Sequence, residues 1–447
     1  MSDKSAWIFD PPDASNIGHR STRNVGINLV AQGIRFVLQM VSTITLARLL
    51  TPADFGLVGM VAVLVNFVGL FKDAGLAQAT VQRDEITHEQ ISSLYWINVL
   101  LTLGLGAFML VLTPAIVWIY DDPRLFGLSM VLALPIMISG FGLQHRALLQ
   151  RHSRFVAIAR VEILSFALAV CVGITSALYG LGYWSLAVMT LTMSLANNLG
   201  YIGATGWLPS GPKRGTGVRS MLRFGANLTG FNFVNYFARN ADNLLIGKFI
   251  GAAALGQYSR AYALMMLPIS QINAPITNAL LPALSSLQNQ SEALEELYLK
   301  WVRRIAWVTA IPIASGVFWG DSIIILILGS EWQLAGEVFQ WLAVAGFLQP
   351  VTNLIGCLYT STGHTSEMLR WGVGSSVIMV IGMLLGLRWG VIGVTVGYSL
   401  VVVPICVLGV IYSNRICGIS SLRYLRVIYV PLGLAFLIIT FKAALII

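Results

Sequence analysis

Apolar runs of about 20 residues or more recur along almost the whole 447-residue chain. A helix rises about 1.5 Å per residue, so a run of this length crosses the roughly 30 Å hydrocarbon layer of a membrane. The runs are continuously apolar and lack the period-two alternation of membrane β-strands, which favours helices over a barrel. Charged residues make up only 11% of the chain. The sequence therefore predicts an all-α polytopic membrane protein.

The apolar runs predict twelve membrane helices and one additional helix near the C-terminus. A polar N-terminal tail precedes them and lacks the short apolar core of a secretory signal. A charged segment, residues 285–305, predicts a separate surface helix that joins the eighth and ninth spans. The predicted spans are 24–49, 53–82, 90–119, 124–150, 155–179, 183–206, 221–249, 254–282, 301–328, 334–361, 367–389, 391–414 and 426–447.

Lysine and arginine are distributed unevenly across this predicted topology. Of the 28 Lys and Arg residues, 18 fall on the side of the N-terminus and 5 on the opposite side. Because cytoplasmic loops retain cations, we expect a multi-pass membrane protein with its N-terminus in the cytoplasm. The cations are dispersed over separate loops, which argues against a nucleic-acid partner.

The two halves of the chain are related by a repeat with an offset of 200 residues. The stretch LARLLTPADFGLV (46–58) aligns without a gap to IGKFIGAAALGQY (246–258), with a cation, a bulky pair and a glycine at matching positions. Six predicted spans separate the copies, so both halves enter the membrane from the same side, as in a parallel repeat. This predicts two pseudo-symmetric six-helix lobes around a central cavity, plus an extra C-terminal helix.

The repeat and the Gly/Pro-rich stretch between its halves set the predicted domain boundaries. They are a cytoplasmic tail at 1–23, an N-lobe of helices 1–6 at 24–206, a cytoplasmic interlobe linker at 207–220, a C-lobe of helices 7–12 at 221–414, and a basic connection with the additional membrane helix at 415–447.

Polar side chains form one stripe along the first predicted helix. Asn28, Gln32, Arg35, Gln39 and Ser42 fall within about an 80° arc. Facing lipid, the arginine would cost at least about 2.5–3.5 kcal/mol, so it is expected to face protein or water. The seventh helix carries a corresponding stripe that includes Asn235, Arg239 and Asp242. The two stripes predict the lining of a cavity, and interhelical hydrogen bonding is the alternative.

Three arginines within predicted spans, Arg35, Arg239 and Arg260, suit an anionic ligand. A planar guanidinium group binds phosphate oxygens through paired hydrogen bonds. Arg35 and Arg260 have no acid three or four residues away on their own helices. The neighbouring amides of Asn28, Gln32, Gln39 and Asn235 suit sugar hydroxyls. The pattern predicts a substrate that is both phosphorylated and glycosylated.

Acidic residues within the predicted spans are candidates for coupling to protons or sodium. The three candidates are Asp73, Glu162 and Asp242, each with a nearby cation on its own helix that offers local pairing as the alternative. The five histidines lack metal-ligand spacing, and His145 and His152 are expected to be solvated. No Walker A or GxSxG sequence is present. We therefore expect no metal, no cofactor and no enzymatic activity.

Three stretches carry a resemblance to a known family: LARLLTPADFGLVGM, FKDAGLAQATVQRDEIT and LGQYSRAYALMMLPISQINAPITNALLPALSSLQ. They resemble the Wzx-type polysaccharide transporters of the MOP flippase superfamily, which also contains the MATE exporters and the lipid II flippase MurJ. The resemblance covers residues from about 20 to 415. The thirteenth predicted span departs from the family's even number of helices.

The resemblance implies translocation of an undecaprenyl-pyrophosphate-linked oligosaccharide from the cytoplasmic to the periplasmic leaflet by alternating access. It implies that Arg35 and Arg260 fill the role of cavity arginines in the first and eighth helices. Membrane lipid, a polysaccharide polymerase and glycosyltransferases are the expected partners besides the lipid-linked substrate.

Two other functions are kept as alternatives. A MATE-like, ion-coupled exporter of small molecules would need acids in the cavity, whereas this cavity offers mostly arginine and amides. A membrane glycosyltransferase or polymerase could use Asp121 and Asp122, which follow the third predicted span. These two acids also fit a turn that ends a helix.

Overall fold

The computed structural model describes residues 17–72, 76–82, 86–212, 236, 240–346, 348–429 and 433. All regular structure in this part of the chain is helical. The chain divides into two compact units, Met1–Tyr236 and Phe237–Ile447. Much of the predicted linker 207–220, the seventh span and the C-terminal helix lies outside the described residues, so the lobe boundaries remain predictions.

The first unit is built around α5, which packs against α4 and α7 and also contacts α2 and α3. Helix α6 packs on α7, and α1 packs on α6. The helices of this unit are α1 (Ile17–Leu49), α2 (Pro52–Gly69), α3 (Leu76–Gln82), α4 (His88–Tyr120), α5 (Arg124–Arg151), α6 (Phe155–Leu178) and α7 (Trp184–Thr205).

The prediction of one continuous helix over 53–82 is wrong. Helix α2 ends at Gly69, and α3 begins only at Leu76. The N–H groups of Leu70 and Phe71 each donate to a carbonyl three residues earlier, at 3.1 Å. Such bonds tighten the last turn of a helix and stop it from propagating.

The second unit repeats this packing order. Helix α11 packs against α10 and α14, α13 packs on α14, and α9 packs on α11 and α12. Its helices are α8 (240–249), α9 (Ala252–Ser286), α10 (Ser291–Leu328), α11 (Gln333–Gly346), α12 (Gln349–Ser361), α13 (Thr365–Gly386), α14 (Gly390–Ile416) and α15 (421–429), with 3₁₀ turns at Ser330–Trp332 and Leu387–Trp389.

Two predictions for the second unit are corrected. The expected separate surface helix within 285–305 is wrong, because α10 continues from Ser291 into the membrane span without a break. Its Leu, Tyr and Val side chains pack into the core of the unit and keep this segment helical. The predicted span 334–361 consists of two helices, α11 and α12, which bend by 41° relative to each other.

The helices have the length and hydropathy of membrane spans. Among the described residues, seven helical segments are long and apolar enough to cross a membrane, or eight if α11 and α12 form one broken span. The segment Thr365–Ile416 passes as a whole and contains both α13 and α14. The prediction of an integral, multi-pass, all-α membrane protein is confirmed.

The 200-residue repeat is visible at the turn between the first two helices of each unit. Helix α1 ends at Leu49 and α2 begins at Pro52, while α8 ends at residue 249 and α9 begins at Ala252. The N–H of Leu50 donates to the carbonyl of Leu46 at 2.9 Å, and the N–H of Ile250 donates to that of Ile246 at the same distance. The sequence offset is therefore also a structural offset.

Glycines allow α13 and α14 to approach each other closely. Gly382 and Gly386 lie one turn apart on α13, and Gly393 and Gly397 do so on α14. A Cβ atom added to Gly386 would lie 2.1 Å from the carbonyl oxygen of Gly393. Small residues at this four-residue spacing let membrane helices meet along their backbones.

Gly386→Val is expected to destabilise the second unit. The new side chain would meet backbone rather than a flexible side chain, so the cost is expected at or above the upper end of the about 1–3 kcal/mol typical of overpacking. Thermal unfolding of the detergent-purified protein measures it. Gly374→Val on the same helix is the matched control, because nothing lies within 4 Å of a Cβ there. Equal melting temperatures for the two variants would contradict the packing argument.

Candidate functional site

The polar stripe of α1 is partly packed and partly accessible. Ser42 is buried, and its hydroxyl lies 3.9 Å from the sulfur of Met189 on α7. Gln32 and Arg35 are half-buried, whereas Gln39 is exposed. The stripe therefore runs along the edge of the contact between α1 and the helices α6 and α7. The side chain of Asn28 is outside the described part of the structure.

Arg35 is bound by an acid from another helix. Its Nη1 forms an ion pair and hydrogen bond with Oε2 of Glu162 on α6. The second oxygen of the same carboxylate accepts from Arg146 on α5, at 3.4 Å from Nε and 3.3 Å from Nη2. It also accepts from the hydroxyl of Tyr201 on α7, at 3.1 Å. We call Arg35, Arg146, Glu162 and Tyr201 the Glu162 cluster.

The Glu162 cluster joins four helices of the first unit and leaves its cations accessible. The side chains of Arg35 and Arg146 are 40% and 47% exposed, whereas that of Glu162 is 18% exposed. Glu162 lies seven residues from the start of α6, which places it about 10 Å inside the helix from that end. Two guanidinium groups and one carboxylate leave the cluster with an excess of one positive charge.

Close packing of α6 and α7 supports the cluster. Gly200 precedes Tyr201, and a Cβ atom on this glycine would lie 2.6 Å from Cγ1 of Val161, the residue before Glu162. The absence of a side chain at Gly200 thus allows α7 to approach α6 next to the carboxylate. The hydroxyl of Tyr201 reaches Glu162 as a result.

The partners of these residues differ from those predicted from the sequence. Local pairing of Glu162 with Arg160 is not what the structure shows, since Arg160 is exposed and Glu162 binds cations from α1 and α5. Arg146 falls inside the predicted span 124–150 and lies in α5, but neither Arg146 nor Tyr201 was predicted to belong to the site. One signal could have indicated the contact: a membrane arginine without an acid on its own helix needs one from another helix, and few acids lie within the spans.

In the second unit, Asp242 is buried and hydrogen bonded. The hydroxyl of Tyr258 on α9 donates to its Oδ2 at 2.8 Å, and the N–H of Asn243 donates to its Oδ1 at 2.7 Å. Tyr258 stacks on Tyr262, with ring centroids 6.0 Å apart. Arg260, on the same helix, is half-buried. Asp242 therefore lies in a polar interior region beside the helix that carries Arg260.

Three predicted site residues cannot be located. Arg239, Asn235 and Asp73 lie outside the described residues. The role of each in binding or ion coupling stays a prediction.

His145 is not solvated, contrary to the prediction. It is 1% exposed, and its Nδ1 lies 2.7 Å from the hydroxyl of Thr205. Its ring contacts those of Tyr95 and Trp207, with centroids 5.9 and 5.3 Å away. Because α5 packs between α4 and α7, this residue is enclosed even though it lies near the end of its helix. His152, one residue beyond α5, is half-buried.

Asp121 and Asp122 form the turn after α4. Asp121 adopts a left-handed backbone conformation with φ of 54°, and its N–H donates to the carbonyl of Val117 at 2.8 Å. Arg124 donates to both carboxylate oxygens of Asp122, at 3.0 Å from Nε to Oδ1 and 2.6 Å from Nη2 to Oδ2. This hydrogen bonding holds the pKa of Asp122 below its ordinary value. A carboxylate held ionised in this way is a poor proton donor at neutral pH.

The described residues contain no group of three or more His, Cys, Asp or Glu side chains arranged to hold a metal ion. The four cysteines, Cys171, Cys357, Cys406 and Cys417, are free thiols.

Comparison with known proteins decides the family. A family model described as "Polysaccharide biosynthesis protein" matches residues 45–336, which is more than half of the chain. The chain belongs to this polysaccharide biosynthesis family. The matched region includes the turn between α1 and α2 and the helices α2–α10.

Two curated relatives match most of the chain. The "Lipopolysaccharide biosynthesis protein WzxC" of Escherichia coli (strain K12) is 27% identical over 414 residues, which cover 91% of this chain and 83% of that protein. The "Teichuronic acid biosynthesis protein TuaB" of Bacillus subtilis (strain 168) is 26% identical over 362 residues, which cover 78% of this chain and 72% of that protein. The resemblance to the Wzx-type branch is thereby confirmed.

Comparison with solved structures shows that this chain has the MOP fold. The lipid II flippase MurJ in an inward closed conformation superposes with a TM-score of 0.72 and 13% identity, covering 91% of each chain. An inward-facing MATE multidrug transporter superposes with a TM-score of 0.68 and 16% identity, covering 85% of this chain and 94% of that one. The predicted two-lobe helical fold of the MOP superfamily is confirmed.

Proposed function

We propose that this protein flips an undecaprenyl-pyrophosphate-linked oligosaccharide across the bacterial inner membrane for surface polysaccharide biosynthesis. The observation that carries the proposal is the Glu162 cluster, in which two accessible guanidinium groups share one carboxylate within a unit of membrane helices. Family membership supplies the polysaccharide context. A diphosphate is the part of such a substrate that two guanidinium groups recognise best.

The geometry of the cluster suits anion exchange. A guanidinium group carries five N–H donors, and Arg35 uses its Nη1 on Glu162. Among the described residues its Nε and Nη2 have no partner, so these donors are available to an anion. The diphosphate of an incoming substrate carries more negative charge than one carboxylate. It competes with Glu162 for Arg35 and Arg146, and its binding loosens the link between α1, α5 and α6.

The proposed route across the membrane is alternating access, as the notion of two related lobes suggests. In this proposal the sugar and diphosphate occupy a cavity between the lobes while the polyprenyl tail remains in lipid. Rocking of the lobes then exposes the head group to the periplasm, as in other transporters built from repeats. The excess of Lys and Arg on one side supports a cytoplasmic N-terminus and therefore entry from the cytoplasm.

The remaining predicted residues keep supporting roles. Arg260 and Arg239 supply cations from the second unit, and Asn28, Gln32, Gln39 and Asn235 hydrogen bond to sugar. Asp73, Asp242 and Glu162 remain the candidates for coupling to protons or sodium. Membrane lipid surrounds the protein, and a polysaccharide polymerase and glycosyltransferases act before or after it.

An ion-coupled exporter of small molecules remains the alternative, because MATE proteins share the fold. A strain that lacks this gene separates the two functions. The flippase proposal predicts lost surface polysaccharide, accumulated lipid-linked oligosaccharide and unchanged drug sensitivity. Raised drug sensitivity with normal polysaccharide would support the exporter instead.

Arg260→Gln is expected to lower surface polysaccharide at least about threefold in that strain, because it removes a charge-assisted contact to phosphate. The amount is measured at matched protein level in the membrane. Arg388→Gln is the control, since Arg388 is exposed in the turn between α13 and α14. Full export by the Arg260 variant would remove this residue from the substrate-binding site.

A further inference from the structure

A charged groove lies within the second unit, between the first turns of α10 and the short helix α15. Its volume is about 1510 Å³. Five cationic side chains line it: Lys300, Arg303 and Arg304 from α10, and Arg423 and Arg426 from α15. None of these residues belongs to the proposed substrate-binding site.

On the α15 side of the groove, one buried carboxylate binds groups at and just before the start of α15. Glu295, 7% exposed, accepts from Nη1 of Arg423 at 3.0 Å and from the N–H of Ser420 at 2.9 Å. On the α10 side, the guanidinium carbon of Arg304 lies 5.2 Å from the ring centroid of Trp301. The ion pair links α15 to α10, and the two contacts together engage two of the five cations of the groove.

The other three cations have no ion-pair partner among the described residues, although the acids Glu292 and Glu296 also line the groove. Lys300, Arg303 and Arg426 form no hydrogen bond or ion pair with another residue of the described ranges. Glu296 stands four residues before Lys300, a spacing that favours an ion pair, yet the two side chains are not paired. Three exposed and unpaired cations along one groove attract an anion.

The length of α10 and the charge of its first turns place the groove at the expected membrane surface. Helix α10 has 38 residues and a kink at Trp319, and the part before the kink is already about 42 Å long, beyond the roughly 30 Å of hydrocarbon, so we expect its charged first turns to extend past the lipid tails. Helix α15 exposes Leu422, Leu425 and Tyr429 along one face, while Tyr424 and Ile428 are buried on the other. An apolar surface therefore borders the cationic groove.

We infer that this groove binds the headgroup of an anionic phospholipid from the surrounding leaflet. The phosphate pairs with Lys300, Arg303 and Arg426, while the acyl chains lie against Leu422 and Leu425. Basic pockets beside membrane helices on the cytoplasmic side are typical sites for such headgroups. A free phosphate would use the cations but not the apolar border.

Lipid retention by the full-length protein tests this inference. The protein is exchanged into nanodiscs that contain phosphatidylglycerol and phosphatidylcholine, and the co-purified lipids are counted by native mass spectrometry. Arg303→Gln/Arg426→Gln is compared with Arg370→Gln/Arg415→Gln, a control of equal charge loss at exposed positions outside the groove. We expect the groove variant to lower the relative affinity for phosphatidylglycerol at least about fivefold and the control to leave it unchanged.

Two results would overturn the inference. One is equal retention of phosphatidylglycerol by the groove and control variants. The other is binding of inorganic phosphate at millimolar concentration in pure phosphatidylcholine nanodiscs, lost in the groove variant, without any preference for phosphatidylglycerol. That second outcome would make the groove a site for free phosphate.

Discussion

Arg35→Gln is expected to reduce polysaccharide export at least about tenfold at an unchanged protein level, because glutamine removes the fork of charged donors that a diphosphate would bind. The assay is surface polysaccharide in a strain that carries the variant as its only copy. Loss of export should coincide with accumulation of lipid-linked oligosaccharide, since synthesis of the substrate continues.

The variant Arg35→Lys distinguishes a role of Arg35 in substrate binding from a role in the stability of the fold. Lysine keeps a positive charge beside Glu162 but lacks the planar, two-pronged donor geometry. We expect thermal stability close to that of the wild type together with export that is clearly lowered. Arg388→Gln serves as the exposed control and should export normally. If Arg35→Lys restores full export, charge alone is sufficient and the diphosphate contact is not bidentate.

Glu162→Gln is expected to lower the free energy of unfolding by about 1–3 kcal/mol, since two guanidinium groups lose their shared counter-charge in a partly buried setting. Both arginines remain available to an anion, so export should stay within about threefold of wild type. Thermal unfolding in detergent gives the stability, and surface polysaccharide gives the export. Glu337→Gln, an exposed position on α11, is the matched control.

The opposite pattern would give Glu162 another role. If Glu162→Gln abolishes export while stability is unchanged, the residue carries the coupling proton or sodium rather than the counter-charge. The double variant Arg35→Gln/Glu162→Gln adds a further check. It should be more stable than Glu162→Gln alone, because it removes one of the two cations left without a counter-charge.

The fold could be predicted from the sequence because its causes are local. Runs such as 90–119 and 155–179 carry their own hydrophobic length, and the helices α4 and α6 begin and end within a few residues of them. The repeat was predictable for the same reason, since the turn between α1 and α2 recurs residue for residue after α8. The break between α2 and α3 was missed although the charged pair Lys72 and Asp73 falls in it, because the apolar residues on both sides were joined into one span.

Only part of the candidate site could be predicted from the sequence. Arg35 could be singled out from α1 alone, because a membrane arginine without a local acid must be satisfied elsewhere. Its partners could not, since Arg146, Glu162 and Tyr201 come from three other helices and meet only when those helices pack. The burial of His145 likewise depends on α4 and α7, which lie far from it in sequence.

The most direct test of the account is transport by the purified protein. Vesicles containing it are loaded with a polyprenyl-diphosphate oligosaccharide that carries a fluorescent label, and a membrane-impermeant quencher reports which leaflet holds the sugar. We expect the wild type to move label between leaflets and Arg35→Gln to do so at least about tenfold more slowly. Equal rates in wild-type and protein-free vesicles, with the protein folded and correctly inserted, would contradict the flippase account.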